Sequence, residues 1–183
     1  MDIGFLFTKV LAIFTLLGNA FTLALLLAYF IARPMYEAII RFTGRNAITL
    51  GFLLSASSTL GSIVYSEVVG FPACILCWIQ RIFMYPMMFL FGLALFRKEK
   101  YIMPYAMLLS LLGGGVALYQ WGKDMFALYG GLTLPCPAVS QLPSCDKIYV
   151  LEYGYITIPM IALNAFVLIV IVLYAGLRKD TPQ

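Results

Sequence analysis

Histidine does not occur in the 183-residue chain, and charged residues make up only 11% of it. The first absence removes imidazole metal ligands, axial haem histidines and the commonest general base. The second sets the chain apart from soluble globular domains, in which about a quarter of residues are charged. Strong charge of either sign is missing as well. Twelve Lys and Arg against eight Asp and Glu leave a formal net charge of +4, and the basic residues stand singly or in short runs between apolar stretches. That pattern excludes a nucleic-acid surface. No internal repeat, low-complexity tract or second domain is visible. What is present in quantity is apolar, 63% of residues, and four cysteines stand out as the main candidates for chemistry.

A bilayer core of roughly 30 Å takes about 20 apolar residues to cross as a helix. Val10–Ala32 is a charge-free run of 23 residues and Asn46–Ser66 one of 21. Phe71–Phe96 is broken by one charge, Arg81, while Tyr101–Gly122 and Tyr153–Leu177 are again charge-free. The sequence therefore predicts an all-α membrane protein with five transmembrane helices. The first run lacks a basic leading region, exceeds an ordinary signal-peptide core and shows no small-x-small cleavage site, which argues against a cleaved leader.

Placement of Lys and Arg sets orientation. Arg33, Arg41 and Arg45 follow the first span, Arg97, Lys98 and Lys100 the third, and Arg178 and Lys179 the fifth. With alternating spans all eight lie on one side, against Lys9, Lys123 and Lys147 on the other. The N-terminus is expected outside and the C-terminus in the cytoplasm, in a bacterial cytoplasmic (inner) membrane. Cys74 and Cys77 then fall at the outer end of the third span, and Cys136 and Cys145 in an outer loop, Lys123–Glu152. Every thiol faces the compartment where disulfides persist. The loop segment GGLTLPCPAVSQLPSC is rich in Pro and Gly, so irregular, movable backbone is expected around Cys136 and Cys145.

The stretch PACILCWIQRIFMYP, residues 72 to 86, concentrates the chemistry. Pro72 suits a helix start, which puts Cys74 and Cys77 in the first turn or two. Free N–H groups and the positive end of the helix dipole favour a thiolate there. At about 100° per residue, Cys77, Arg81 and Cys74 share one face, with Tyr85 continuing the stripe and Arg81 roughly 10 Å deeper than Cys74. An arginine within a span costs about 2.5 kcal/mol or more on insertion scales and so usually faces a polar site. It can stabilise a thiolate or an anionic acceptor.

Blander readings exist for each feature. CxxC at a membrane surface can be a structural bond, and Arg81 can snorkel to the outer interface. Zinc is disfavoured by the C-x8-C spacing and the oxidising compartment; no metal is expected. Trp78, Tyr85, Tyr153 and Tyr155 suit an interfacial belt, Gly113–Gly115 close helix packing, and Pro86 a kink in the third span.

With these residues in place, CILCWIQRIFMYP resembles the first cysteine motif of the DsbB/BdbC family of membrane disulfide bond formation proteins, C-x-x-C-x-x-x-R with the Tyr-Pro of its BdbC branch. The loop carrying Cys136 and Cys145 resembles the second pair of that family, and YGYITIPMIALNAF the start of its last helix. The resemblance covers Asn46 to Leu177. It implies a four-helix transmembrane bundle, residues 46–183 with the outer cysteine loop 123–152, to which residues 1–45 add an extra N-terminal transmembrane helix and cytoplasmic linker. It also implies the activity of the DsbA–DsbB–quinone route. A DsbA-like thioredoxin-fold oxidase is reoxidised on the outer side, and electrons pass through two cysteine pairs to a membrane quinone, ubiquinone or menaquinone. By motif position, Cys74 and Cys77 reduce the quinone with Cys77 nearer the ring, Arg81 holds or polarises it, and Cys136 and Cys145 exchange with the partner, Cys136 forming the mixed disulfide. The eight-residue gap between the loop cysteines is shorter than in some members.

Two rivals are set against this reading. A vitamin K epoxide reductase-like oxidase also carries two cysteine pairs, but there the loop pair precedes CxxC, whereas here CxxC comes first. A non-enzymatic multispan scaffold would hold all four cysteines in structural bonds, which resist mild dithiols.

Overall fold

A computed structural model describes residues 3–131, 136 and 143–179. Six α-helices follow one another: α1 (Ile3–Ile31), α2 (Arg33–Arg45), α3 (Ala47–Ile63), α4 (Ile75–Arg97), α5 (Met103–Tyr129) and α6 (Ile158–Lys179). A π-helical turn, Val64–Val68, prolongs α3. Among the described residues the only β pairing is an isolated bridge between Glu152 and Ile156.

The helical class follows from the apolar runs, since in lipid the backbone N–H and C=O groups must find partners within their own segment. Among the described residues four stretches are long and apolar enough to cross a membrane: 4–31, 47–68, 75–97 and 158–178. The fifth expected span, α5, has the length at 27 residues but does not join them. Pro104, Tyr105, Ser110, four glycines and Gln120 dilute its apolar content. It nevertheless lies within the bundle, packing along α6 and α4.

Three local differences from the expected layout matter. Residues 33–45, expected as a linker, form the amphipathic helix α2, entered at Arg33–Pro34 where the missing proline N–H costs nothing, and packed on α6. Residues 123–129, expected in the outer loop, continue α5 by nearly two turns. Helix α4 begins at Ile75 rather than at Pro72, with Cys74 as its extended N-cap residue (φ −75°, ψ 174°), and it continues through Pro86 to Arg97. The expectation of irregular backbone between the loop cysteines concerns residues 132–135 and 137–142, which lie outside the described residues.

The core joins α3, α4, α5 and α6 through Met87, Phe91, Ala106, Phe166, Ile169 and Leu173. Lipid tails are as apolar as these side chains, so close van der Waals fit rather than water exclusion holds such helices together. Gly113 supplies that fit. A Cβ built on it would stand 2.4 Å from the Phe166 ring, so α5 and α6 approach at a point no larger residue could occupy.

Helix α1 lies against α6 and α2 and reaches the cysteine-bearing end of the bundle through polar contacts. Lys9 pairs with Glu152 at 2.6 Å, Asn19 donates to the Tyr155 hydroxyl at 3.3 Å, and the Tyr65 hydroxyl donates to Thr8 at 3.4 Å. Glu152 opens the tight turn that precedes α6. Gly154 takes φ +80° there, a conformation ordinary side chains rarely adopt, and Tyr129 donates to its carbonyl at 2.7 Å.

Candidate active site

The cysteine-bearing ends of α3, α4, α5 and α6 enclose a cavity of about 140 Å³, whose lining includes Cys74, Cys77, Arg81, Tyr85, Gln120 and Cys145. All the residues placed on one face of α4 by helical spacing therefore line one space. The loop pair reaches it through Cys145. Cys136 and Cys145 are joined in a disulfide with 6.2 Å between their Cα atoms. Cys145 and Cys74 are buried in a shared apolar cluster with Leu76, against which Cys77 and Cys136 pack.

Cys74 and Cys77 are an unbridged dithiol with their sulfurs 3.4 Å apart. The extended Cys74 precedes the helix and Cys77 stands in its first turn, beside amide groups that have no intrahelical acceptor. One polar side chain serves both sulfurs. Gln120 of α5 donates its amide Nε2 to Cys74 at 3.5 Å and to Cys77 at 3.6 Å. Its orientation is fixed from behind, because Gln80 of α4 donates to the Gln120 Oε1 at 2.8 Å. With the oxygen so engaged, the NH₂ group is the end that meets sulfur.

Arg81, one turn beyond Cys77 on the same face of α4, turns toward α3. Its Nε donates to the Ser62 hydroxyl at 2.9 Å, and one terminal nitrogen donates to the Ser62 carbonyl at 3.1 Å and to the Ser66 hydroxyl. The Trp78 ring stacks against the guanidinium at 5.2 Å, and Tyr85 donates to Ser62 at 3.5 Å. The half-buried guanidinium is thus tied to α3 and its π-helical extension, a type of turn often found where a helix is bent to serve a site. The two sulfurs take their contacts from Gln120, and Arg81 takes its contacts from serines across the cavity.

A second cluster fixes the loop. Lys123, with 3% of its side chain exposed, donates to the Cys145 carbonyl at 2.8 Å and to Asp146 at 3.1 Å, and lies 3.8 Å from Asp124. The Ser144 hydroxyl and the Lys123 ammonium hold the Asp146 carboxyl below the usual carboxylate range.

Sequence reasoning singled out Cys74, Cys77, Arg81 and Tyr85 on one face, and the structure brings Cys145 to them. It passed over Gln80, Gln120, Ser62, Ser66 and Lys123. The readable signal for the two glutamines was an amide inside an otherwise apolar span, which calls for a polar partner. For Lys123 no signal distinguished it from a solvated loop charge.

The disulfide bond formation protein DsbB family model matches residues 44–176. Among curated relatives, the probable disulfide formation protein C 1 of Bacillus cereus is 34% identical over 114 residues, covering 62% of this chain and 79% of the relative. The disulfide bond formation protein C of Bacillus subtilis is 33% identical over 120 residues, 66% and 84% of the two chains. The probable disulfide formation protein of Metapseudomonas resinovorans is 33% identical over 141 residues, 75% and 93%. No solved structure matches the chain significantly. A dithiol beside a disulfide, at one end of a bundle of membrane-length helices, agrees with what these likenesses say: the chain belongs to the DsbB family and is a membrane thiol oxidoreductase with a role in disulfide bond formation.

Proposed function

We propose that the chain is a dithiol:quinone oxidoreductase that reoxidises a DsbA-like thioredoxin-fold protein outside the cytoplasm and delivers the electrons to ubiquinone or menaquinone. The observation that carries this reading is the convergence of Cys74, Cys77, Cys145 and Arg81 on one cavity, with Cys136 bonded to Cys145. That cavity suits a quinone. Met84, Ile161, Ala162 and Phe166 offer apolar wall for a ring and its isoprenoid tail, and Arg81 and Ser62 offer donors for a ring oxygen. A quinone bound there supplies a two-electron acceptor. The chain itself supplies position and electrostatics, with Cys77 nearer the ring and the Arg81 fork facing the oxygen that gains negative charge.

Electrons enter at the loop pair. The partner's thiolate attacks the Cys136–Cys145 disulfide, with Cys136 forming the mixed disulfide and Cys145 leaving as thiolate, and release of the oxidised partner leaves the loop pair reduced. The Cys145 thiolate then attacks Cys74 of a Cys74–Cys77 disulfide, so that the Cys74–Cys77 bond breaks and Cys77 leaves as thiolate. Attack of Cys136 on Cys145 frees Cys74. Two electrons have then moved inward, giving an oxidised loop pair beside a reduced dithiol. The burial of Cys145 against Cys74 supports this pairing. Gln120, donating to both sulfurs, favours the thiolate that leaves and later returns. The segments 1–45 and 46–183 act as an added membrane anchor and the catalytic bundle, with the N-terminus outside and the C-terminus cytoplasmic.

Purified chain mixed with a reduced thioredoxin-fold oxidase and a soluble quinone tests the reading by loss of quinone absorbance. Turnover is expected with the parent chain and lost in Cys77→Ser and Cys136→Ala. Normal turnover in Cys136→Ala overturns the relay order.

A further inference from the structure

Lys123 is buried, charged and within hydrogen-bond distance of the backbone of a redox-active cysteine, yet the relay described above gives it no part. Its place on α5 is informative. It follows Gln120 by three residues, so the two side chains leave the same helix face about 4.5 Å apart along the axis. Gln120 holds both sulfurs of the Cys74/Cys77 dithiol. Lys123 holds the Cys145 carbonyl at 2.8 Å and, through Asp146 at 3.1 Å, the next residue of the loop. A single turn of α5 therefore grips both cysteine pairs. A buried ammonium without partners is costly by several kcal/mol. Here Asp124 of α5 stands 3.8 Å away, and both hydrogen-bond acceptors come from the loop, so that loosening the loop at Cys145 leaves the ammonium without them. The segment 143–150 has no helix or strand of its own to hold it in place.

We propose that Lys123 is a positioning residue for electron transfer between the pairs: its ammonium fixes the Cys145 backbone to the helix turn that also carries Gln120, holding Cys145 within attack distance of Cys74. This rests on the reading that the two pairs exchange. The step it serves is the balanced one already given: the Cys145–Cys74 bond forms as the Cys74–Cys77 bond breaks, and Cys77 takes the electron pair. Lys123 forms no bond to sulfur and transfers no proton in that step.

The test needs neither quinone nor partner, so its outcome is separable from failure of the proposed function. In full-length chain carrying Cys77→Ser and Cys136→Ser, Cys74 and Cys145 are the only thiols. A mild thiol oxidant joins them, and the link is followed by mobility on non-reducing gels. Adding Lys123→Met is expected to slow this cross-linking about 100-fold, the loss that a displacement of about 1 Å produces between oriented reactants. Lys123→Arg keeps a donor for the Cys145 carbonyl and is expected to recover most of the rate, which a loss of general stability does not explain. If Lys123→Met does not fold, Asp146→Ala decides the matter. That carboxylate is 69% exposed, and its removal, which takes away one of the two loop acceptors of Lys123, is expected to slow cross-linking relative to the parent. Cross-linking at the parent rate in Lys123→Met, or in Asp146→Ala where the former does not fold, overturns the proposal. Absence of the link in the parent overturns it together with the exchange reading, whereas failure of quinone reduction alone leaves it standing.

Discussion

Gln120 supplies the polar contact of a dithiol that is otherwise walled by apolar groups, and it does so only because Gln80 holds its other end. Replacing Gln120 by Leu removes the donor from both sulfurs and strands the buried Gln80 amide. An unpaired amide of this kind costs about 1–3 kcal/mol. The double change Gln80→Leu/Gln120→Leu is therefore expected to recover much of the stability lost in Gln120→Leu while leaving thiol alkylation and turnover slow. Melting and iodoacetamide kinetics measured side by side check both halves of that statement, and parallel recovery of both would remove Gln120 from the chemistry. Arg81 is tied instead to Ser62 and Ser66. Lysine keeps the charge but loses the planar fork, so Arg81→Lys is expected to be intermediate and Arg81→Met severe. Loss of one such donor commonly costs about 2.7–4 kcal/mol at the transition state. A quinone titration of Arg81→Met is expected to show a raised KM that high quinone partly rescues; unchanged KM and turnover would make the arginine an interfacial side chain only.

Helix packing around the site depends on small residues more than on apolar mass. Gly113→Ala places a methyl 2.4 Å from the Phe166 ring and forces α5 from α6. Overpacking of this kind typically costs about 1–3 kcal/mol. Gly115 has nothing within 4 Å of the corresponding position, so Gly115→Ala is expected to be neutral. Survival of folded monomer after heating in detergent compares the two, and equal losses would mean that the glycine contact is incidental. The elements were unevenly legible. Apolar runs marked α1, α3, α4 and α6, because length and hydropathy are local properties, but Lys9 cut the run at Val10 whereas α1 begins at Ile3, and the last run was taken from Tyr153 whereas α6 begins at Ile158. Helix α2 was read as linker because its Arg and Glu residues outweighed an amphipathic period that Ile39, Ile40 and Thr43 carry. Lys123 and Asp124 were read as loop because a charge gives no sign of a partner more than 20 residues away. The shared face of Cys74, Cys77, Arg81 and Tyr85 was readable from helical spacing alone. Gln120 was not, since its meaning comes from α4, a helix 40 residues earlier in the chain. The π-helical turn at Val64–Val68 depends on a shift in backbone bonding that residue types do not announce.

The whole molecule carries eight of its loop Lys and Arg on one expected side. In a chain stripped of its own cysteines, Arg41→Cys and Lys147→Cys, both at exposed positions, report sidedness. Labelling of position 147 in intact cells and of position 41 only after membrane opening is expected; labelling of both from outside overturns the orientation and the oxidase reading with it. Helix α1 stands outside the family match at 44–176 and still reaches the turn before α6 through Lys9 and Glu152.

Under the proposed relay, the burial of Cys74 and Cys145, 5% and 4% exposed, has a consequence for traffic. Small thiols dissolved in the medium are abundant, and an open dithiol centre would be drained by whichever of them was most concentrated. Here Cys74 and Cys145 are sheathed, Cys77 is half-buried, and the loop cysteine with greater exposure, Cys136, is the port. Throughput then answers to recognition of a docked protein rather than to the ambient reductant, which makes the molecule an insulated conductor with one socket.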